Sequence, residues 1–223
     1  REVISIEELK EWYQKLLDEY HKWLSYQKKW KEERNHSLQS LEFPFSYREG
    51  QRKMVSSVYH TIGASRQIFI QAPTGVGKTM STIFPAVRAV GEGKGETIFY
   101  LTAKTITRTV AQEAFEVLRE KGMKYKVVTI TAKEKLCFMD ETKCDPVHCP
   151  YARGHFDRVN DAVYELWTTK SRYDRETIRE QAEKWQVCPF EMCLDLSVWV
   201  DAVICDYNYV FDPTVHLKRF FGE

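Results

Sequence analysis

Glycine and proline are scarce, 10 and 7 in 223 residues, and no low-complexity run occurs, which excludes a disordered or fibrous chain. A dominant charge is missing as well. Lys and Arg number 33 against 32 Asp and Glu, leaving +1, so no global field advertises a nucleic-acid partner and any basic surface must be local. No apolar stretch approaches the roughly 18 residues of a membrane span, and the N-terminus is charged and amphipathic rather than signal-like. A cytoplasmic setting without membrane contact is the expectation. Internal repeats are absent too. What is present is 43% hydrophobic and 29% charged residues, enough to build the core of one α/β domain with a small insert. Six cysteines, most of them between Cys137 and Cys193, read in a reducing compartment as metal ligands rather than disulfides.

Residues 5–36 carry the pattern of one long helix. Ser5 and Glu8 form a capping box, and Leu9, Tyr13, Leu16, Tyr20, Trp23 and Trp30 recur in steps that keep them close to one face. That stripe needs a partner: a following or an upstream domain, or, as the weaker option, a second copy. Beyond a connector, a helix is expected from Arg48 to Ile62, a strand at Gln67–Gln71, a helix from Thr79 to about Val90, a strand at Thr97–Thr102, a helix at Thr105–Lys121 and a strand at Tyr125–Ile130. Alternating units of this length imply an α/β fold, a parallel sheet with helices on both faces. Residues 131–198 break the rhythm with a cysteine-bearing loop and helical stretches at Val159–Trp167 and Arg175–Trp185, and a strand resumes at Val200–Cys205. The organisation expected is a helical segment 1–40, a first motor-domain part 41–132, an insert 133–198 and a return to the motor domain at 199–223.

Ala72-Pro73-Thr74-Gly75-Val76-Gly77-Lys78-Thr79 has the Gly-Lys-Thr ending of a Walker A phosphate loop, set between a strand pattern and a helix pattern. Gly75 and Gly77 let backbone N–H groups turn inward to hold phosphate oxygens, aided by the helix N-terminus. Lys78 reaches the terminal phosphates of ATP, and the Thr79 hydroxyl is placed to bind Mg²⁺. The loop opens on Ala72 where the strict pattern has glycine.

Cys137, Cys144, Cys149 and Cys188 are spaced C-x6-C-x4-C-x38-C. This is not the paired knuckle of a zinc ribbon. Thiolates from an irregular loop suit a 4Fe-4S cubane, with zinc and unligated core cysteines as the alternatives. Cys193 and Cys205 read as core thiols.

Leu136-Cys137, the next two cysteines, Cys188-Pro189-Phe190 and Asp206-Tyr207-Asn208-Tyr209-Val210-Phe211-Asp212-Pro213 together resemble the XPD and DinG family of iron–sulfur DNA helicases, over residues 43–223. The resemblance implies a RecA-like motor domain interrupted by a small domain whose four cysteines hold a 4Fe-4S cluster, with single-stranded and forked DNA as partner and mostly 5′ to 3′ translocation. Tyr47-Arg48-Glu49-Gly50-Gln51 lies where helicases place an adenine-sensing glutamine: Gln51 would pair with the adenine edge and Arg48 or Tyr47 would stack on its ring. Alternatively Gln51 is simply solvated. Leu101 to Arg108 resembles helicase motif Ia, which makes Thr102, Lys104, Thr105 and Arg108 candidate phosphate contacts, against the simpler reading of a capped helix with a solvated arginine. Lys133 stands where the family carries a basic residue near cluster and DNA. Tyr207 and Tyr209 fit base stacking and plain packing equally well.

Asp206 follows an apolar run as a Walker B carboxylate would, but Tyr207 occupies the place of the catalytic glutamate. By resemblance the Asp-Glu-Ala-His box and the second motor domain lie beyond residue 223. The chain is therefore expected to be part of a longer helicase, binding nucleotide weakly at best by itself, with an upstream nuclease domain as one further expectation.

Overall fold

Ser5 caps the first helix as its sequence predicts: its hydroxyl accepts from the Glu8 N–H, and the Glu8 carboxylate accepts from the Ser5 N–H. The structure is a computed structural model that describes residues 4–103 and 105–221. In chain order the elements are α1 (Ile6–Gln39), α2 (Gln51–Gly63), α3 (Lys78–Gly91), β1 (Ile98–Thr102), α4 (Thr105–Glu120), β2 (Val127–Thr129), α5 (Lys133–Leu136), α6 (His155–Thr169), β3 (Arg172–Tyr173), α7 (Arg175–Trp185), α8 (Pro189–Ser197), β4 (Ala202–Asp206), α9 (Asn208–Phe211) and α10 (Lys218–Phe221). The strands form one parallel sheet in the order β1-β4-β2-β3.

Strand alternation sorts the core into two layers. Val203 and Cys205 of β4 face a cluster built with Leu136 and residues of α6, α7 and α8. Ala202 and Ile204 face the other side, where Leu38, Val55, Ile83, Val87 and Phe115 come from α1 to α4. The cysteine-bearing block thus shares a core with the sheet, and it contributes β3, a strand its polar sequence does not announce. A two-residue strand is too short to show alternation; pairing with β2 creates it.

Helix α1 runs past both layers. Its Trp23 ring lies 4.6 Å from Trp199 and 5.1 Å from Tyr164, and Tyr26 meets Trp167 edge-on, while Leu38 enters the opposite layer. Between them Asp201, at the foot of β4, accepts from Arg34 at 2.7 Å, from the Trp30 indole at 2.9 Å and from the Lys126 N–H at 2.8 Å. Arg34 and Asp201 are both buried, so neither charge has water to fall back on. Arg88 closes the far end of α1, donating to the carbonyls of Leu38, Gln39 and Leu41. The early part of the stripe, Leu9, Tyr13, Leu16 and Tyr20, remains exposed.

One expected strand does not form. Gln67–Gln71 is irregular, with Ile68, Phe69 and Ile70 all exposed. Strand propensity is realised only by pairing, and among the described residues no strand of the sheet pairs with this segment. Helix α2 begins at Gln51, three residues later than expected, because Gly50 takes a left-handed conformation (φ 72°) at its N-cap. No helix among the described residues is long and apolar enough to cross a membrane.

Candidate functional site

The phosphate loop turns on two left-handed glycines, Gly75 (φ 86°) and Gly77 (φ 75°), and leads directly into α3. Gly77 is further constrained by contact, since a Cβ there would lie 2.6 Å from the Gln51 amide nitrogen. Gln51 is buried, and its side-chain oxygen accepts from the Arg48 N–H at 3.0 Å. The Arg48 guanidinium donates to the Gly75 carbonyl. Lys78 donates to the Ala72 and Pro73 carbonyls at 3.0 and 2.8 Å, which holds its ammonium over the loop. The Tyr100 hydroxyl of β1 lies 3.4 Å from the Thr79 hydroxyl. Thr74 is exposed and Val76 half-buried on the turn itself.

Arg48, Gln51, Gly75, Gly77 and Lys78 are therefore brought together from two elements. Tyr47 is not among them. It stacks on Phe43 at 4.3 Å and lines a separate groove with Arg88 and Glu92. The solvated alternative for Gln51 is excluded by its burial, which the loop's own glycine makes possible.

At the C-terminal ends of β1 and β4 the expected phosphate contacts are arranged inward. Thr102 is buried with its hydroxyl 3.4 Å from Asp206 Oδ1, and Arg108 Nη2 donates to the same oxygen at 2.7 Å. Arg108 Nε is buried without a partner. A carboxylate thus engages Arg108, which is not a solvated residue of a capped helix. Asp206 in turn faces Arg108 and Thr102 rather than Thr79. Thr105 opens α4, and Lys104 lies outside the described residues. Tyr209 both packs on the core rim and lines a groove of about 590 Å³ with Lys133, Asn208, Lys218 and Arg219. Burial pushes its hydroxyl up to about 12. Tyr207 is exposed.

Cys137, Cys144, Cys149 and Cys188 line one pocket, together with Lys133, Phe138, Tyr151 and Phe190. Cys193 and Cys205 do not. They lie buried in the core, where desolvation pushes both thiols up to about 12, and Cys193 sits within α8 rather than at its end. All six cysteines are free. Among the described residues no three His, Cys, Asp or Glu side chains converge as ligands of a single metal ion. Zinc would draw its sulfurs to about 2.3 Å, whereas a cubane spreads four thiolates around a polyatomic group.

The elements around the pocket explain how four cysteines distant in sequence come to line it. Cys137 follows core residue Leu136 at the end of α5, and Cys188 follows core residue Val187 at the N-cap of α8. Arg179 of α7 donates to the Leu136 carbonyl at 2.7 Å and lies 4.4 Å above the Phe138 ring. Arg158 of α6 donates to the carbonyls of Trp185 and Gln186. His155 Nδ1 accepts from the Cys188 N–H at 3.2 Å. Burial raises the Cys188 thiol against the opposing pull of the Glu191 and Phe190 N–H groups, and a hydrogen bond to Cys144 raises Lys133. Sequence reasoning missed Arg158, Arg179 and His155, which carry no motif; only the i, i+3 spacing of His155 and Arg158 places two of them on one helix face.

Two family models match the chain: DEAD/DEAH box helicase over residues 48–150, and DEAD_2 over residues 119–219. A probable ATP-dependent helicase of Methanocaldococcus jannaschii is 24% identical over 169 residues, covering 74% of this chain and 24% of that protein. A regulator of telomere elongation helicase 1 homolog of Caenorhabditis briggsae is 22% identical over 226 residues, covering 82% of this chain and 22% of its own length. The chain thus spans about a quarter of the curated relatives it matches. The phosphate loop lies inside the first matched region and all four pocket cysteines inside the second, so the chain carries DEAD/DEAH box helicase and DEAD_2 domains, consistent with the XPD/DinG-like helicases.

Proposed function

We propose that this chain is the nucleotide-binding, cluster-bearing N-terminal portion of an ATP-dependent DNA helicase. The observation that carries the reading is that Cys137, Cys144, Cys149 and Cys188 all line one pocket, in a fold unit that also holds a phosphate loop. Four free thiols with a lysine beside them, and with the two remaining cysteines buried elsewhere, fit a 4Fe-4S cluster. Bound there, such a cluster would tie α5, the loop 137–149 and α8 together and offer a one-electron centre.

In the nucleotide site, the loop N–H groups around Gly75 and Gly77 and the N-terminus of α3 would hold the ATP phosphates, Lys78 would swing from the Ala72 and Pro73 carbonyls to the terminal phosphate, and Thr79 would take Mg²⁺. Gln51, fixed against Gly77, would read the adenine edge, with Arg48 beside it, while Tyr47 stacks on Phe43 in the neighbouring groove. Single-stranded DNA would follow the groove lined by Lys133, Tyr209, Lys218 and Arg219, and forked DNA would be parted with 5′ to 3′ polarity in the full-length protein. Hydrolysis needs a metal-binding carboxylate and an acid that orients water. Asp206 is engaged by Arg108, so by itself this chain binds nucleotide without turning it over.

Anaerobic purification with iron and sulfide analysis tests the reading: about four irons and four sulfides per chain, with broad visible absorption, are expected. A colourless protein with one zinc would replace it with a zinc-stabilised regulatory module. ATP turnover at helicase-like rates by this chain with DNA present would overturn its assignment as an inactive part.

A further inference from the structure

His155 is hard to justify by packing. Its ring is buried at the start of α6, 4% exposed, and its Nε2 has no hydrogen-bond partner. A buried orphan donor is costly, and a leucine would fill the same space without one. The other ring nitrogen supplies the reason for a histidine. Nδ1 accepts the Cys188 N–H at 3.2 Å, which assigns a neutral ring with its proton on Nε2. Burial lowers the basicity of the ring and so favours that neutral form.

The Cys188 N–H is itself a special group. Cys188 is the N-cap of α8, its backbone held extended (φ −65°, ψ 118°) ahead of Pro189. Its amide precedes the helix and has no place in the helical ladder. The first turn of α6 meets this need twice. Arg158, three residues after His155, donates to the Trp185 and Gln186 carbonyls, and His155 accepts from the Cys188 amide two residues on. The donor side chain and the acceptor side chain together hold the turn 185–188, where Gln186 is left-handed (φ 52°), and the Cys188 sulfur meets the Phe190 and Glu191 N–H groups.

We propose that His155 is a positioning residue for the iron–sulfur site: its Nδ1 fixes the Cys188 backbone, and through it the direction of the Cys188 thiolate and of the N–H groups that meet it. The inference rests on the cluster reading above. Hydrogen bonds to cluster sulfurs set reduction potential, so a residue that sets their geometry acts on the potential as well as on retention.

The test compares the wild-type chain with His155→Leu and His155→Asn, all purified anaerobically. Asparagine places an acceptor oxygen near the position of Nδ1, although its amide nitrogen keeps donors in the pocket, whereas leucine offers no acceptor at all. His155→Leu is expected to release iron to a chelator roughly tenfold faster and to shift the cluster's reduction potential, while His155→Asn stays within about twofold of wild type. Equal release rates and potentials in wild type and His155→Leu would overturn the inference, as would damage by asparagine equal to that by leucine. A wild-type chain without iron would instead remove the cluster reading itself, and the two failures are told apart by that first measurement.

Discussion

The phosphate loop and the cysteine pocket are held in opposite ways. The loop is an exposed turn fixed by its own neighbours: two left-handed glycines, a lysine folded onto carbonyls five and six residues back, and one buried glutamine from α2. The segment ahead of it, 67–71, lies outside the sheet. The pocket depends on distant chain. Leu136 and Val187, each beside a pocket cysteine, are fully buried in the larger core cluster, and arginine or histidine side chains from α6 and α7 brace the backbone at both ends. The difference teaches that a local turn can order its glycines and lysine with few distant neighbours, whereas cysteines far apart in sequence share a pocket only once the surrounding core has formed.

The largest effect that would sharpen this contrast comes from the cysteines. Cys188→Ser should lose the cluster entirely and loosen the 131–198 block, whereas Cys193→Ser should keep full iron content; iron loss of the same size in both variants would break the assignment of ligands. Next in size, Lys78→Ala should weaken nucleotide binding by roughly a hundredfold in equilibrium titrations, the loss of about one strong charge-assisted contact, with iron content unchanged. If iron fell together with nucleotide affinity, loop and pocket would not be independently held.

A third effect, confined to alkaline pH, concerns the seam shared by both layers. Lys126 is buried, donates to the Trp167 and Lys170 carbonyls and lies 4.2 Å over the Trp30 ring. Desolvation lowers it from 10.5 to about 8. Between those values the unfolded chain holds a proton that the folded chain has released, so stability rises with pH from about 8 to 10.5 and is flat below 8. Denaturant titrations of wild type against Lys126→Met should show their difference growing in favour of wild type by up to about 3 kcal/mol across that window. A dependence confined to lower pH would assign the seam's titration to another group.

Much of this was legible beforehand because it is local. The Ser5 and Glu8 box, the helix registers and the glycine-lysine-threonine turn depend on residues within a few positions of one another. The burial of Gln51 could be anticipated only in outline, since its contact with Gly77 spans two elements. The strand at 67–71 was misread because its composition suits a sheet but no neighbour among the described residues pairs with it. The ion pair of Arg108 with Asp206 could not be read in advance, because only the pairing of β4 with β1 brings the two together.

The sequence by itself therefore determined the phosphate loop and the identity of the four pocket cysteines, because glycine torsions, helix starts and thiol chemistry are properties of short segments. Tertiary structure alone decided that those cysteines share one pocket, that His155 and Arg179 brace it, that β3 joins the sheet and that Asp201 locks α1 across both layers. Each of these depends on groups more than thirty residues apart, brought together only when burying apolar surface on both faces of the sheet outweighs the entropy of closing the intervening chain.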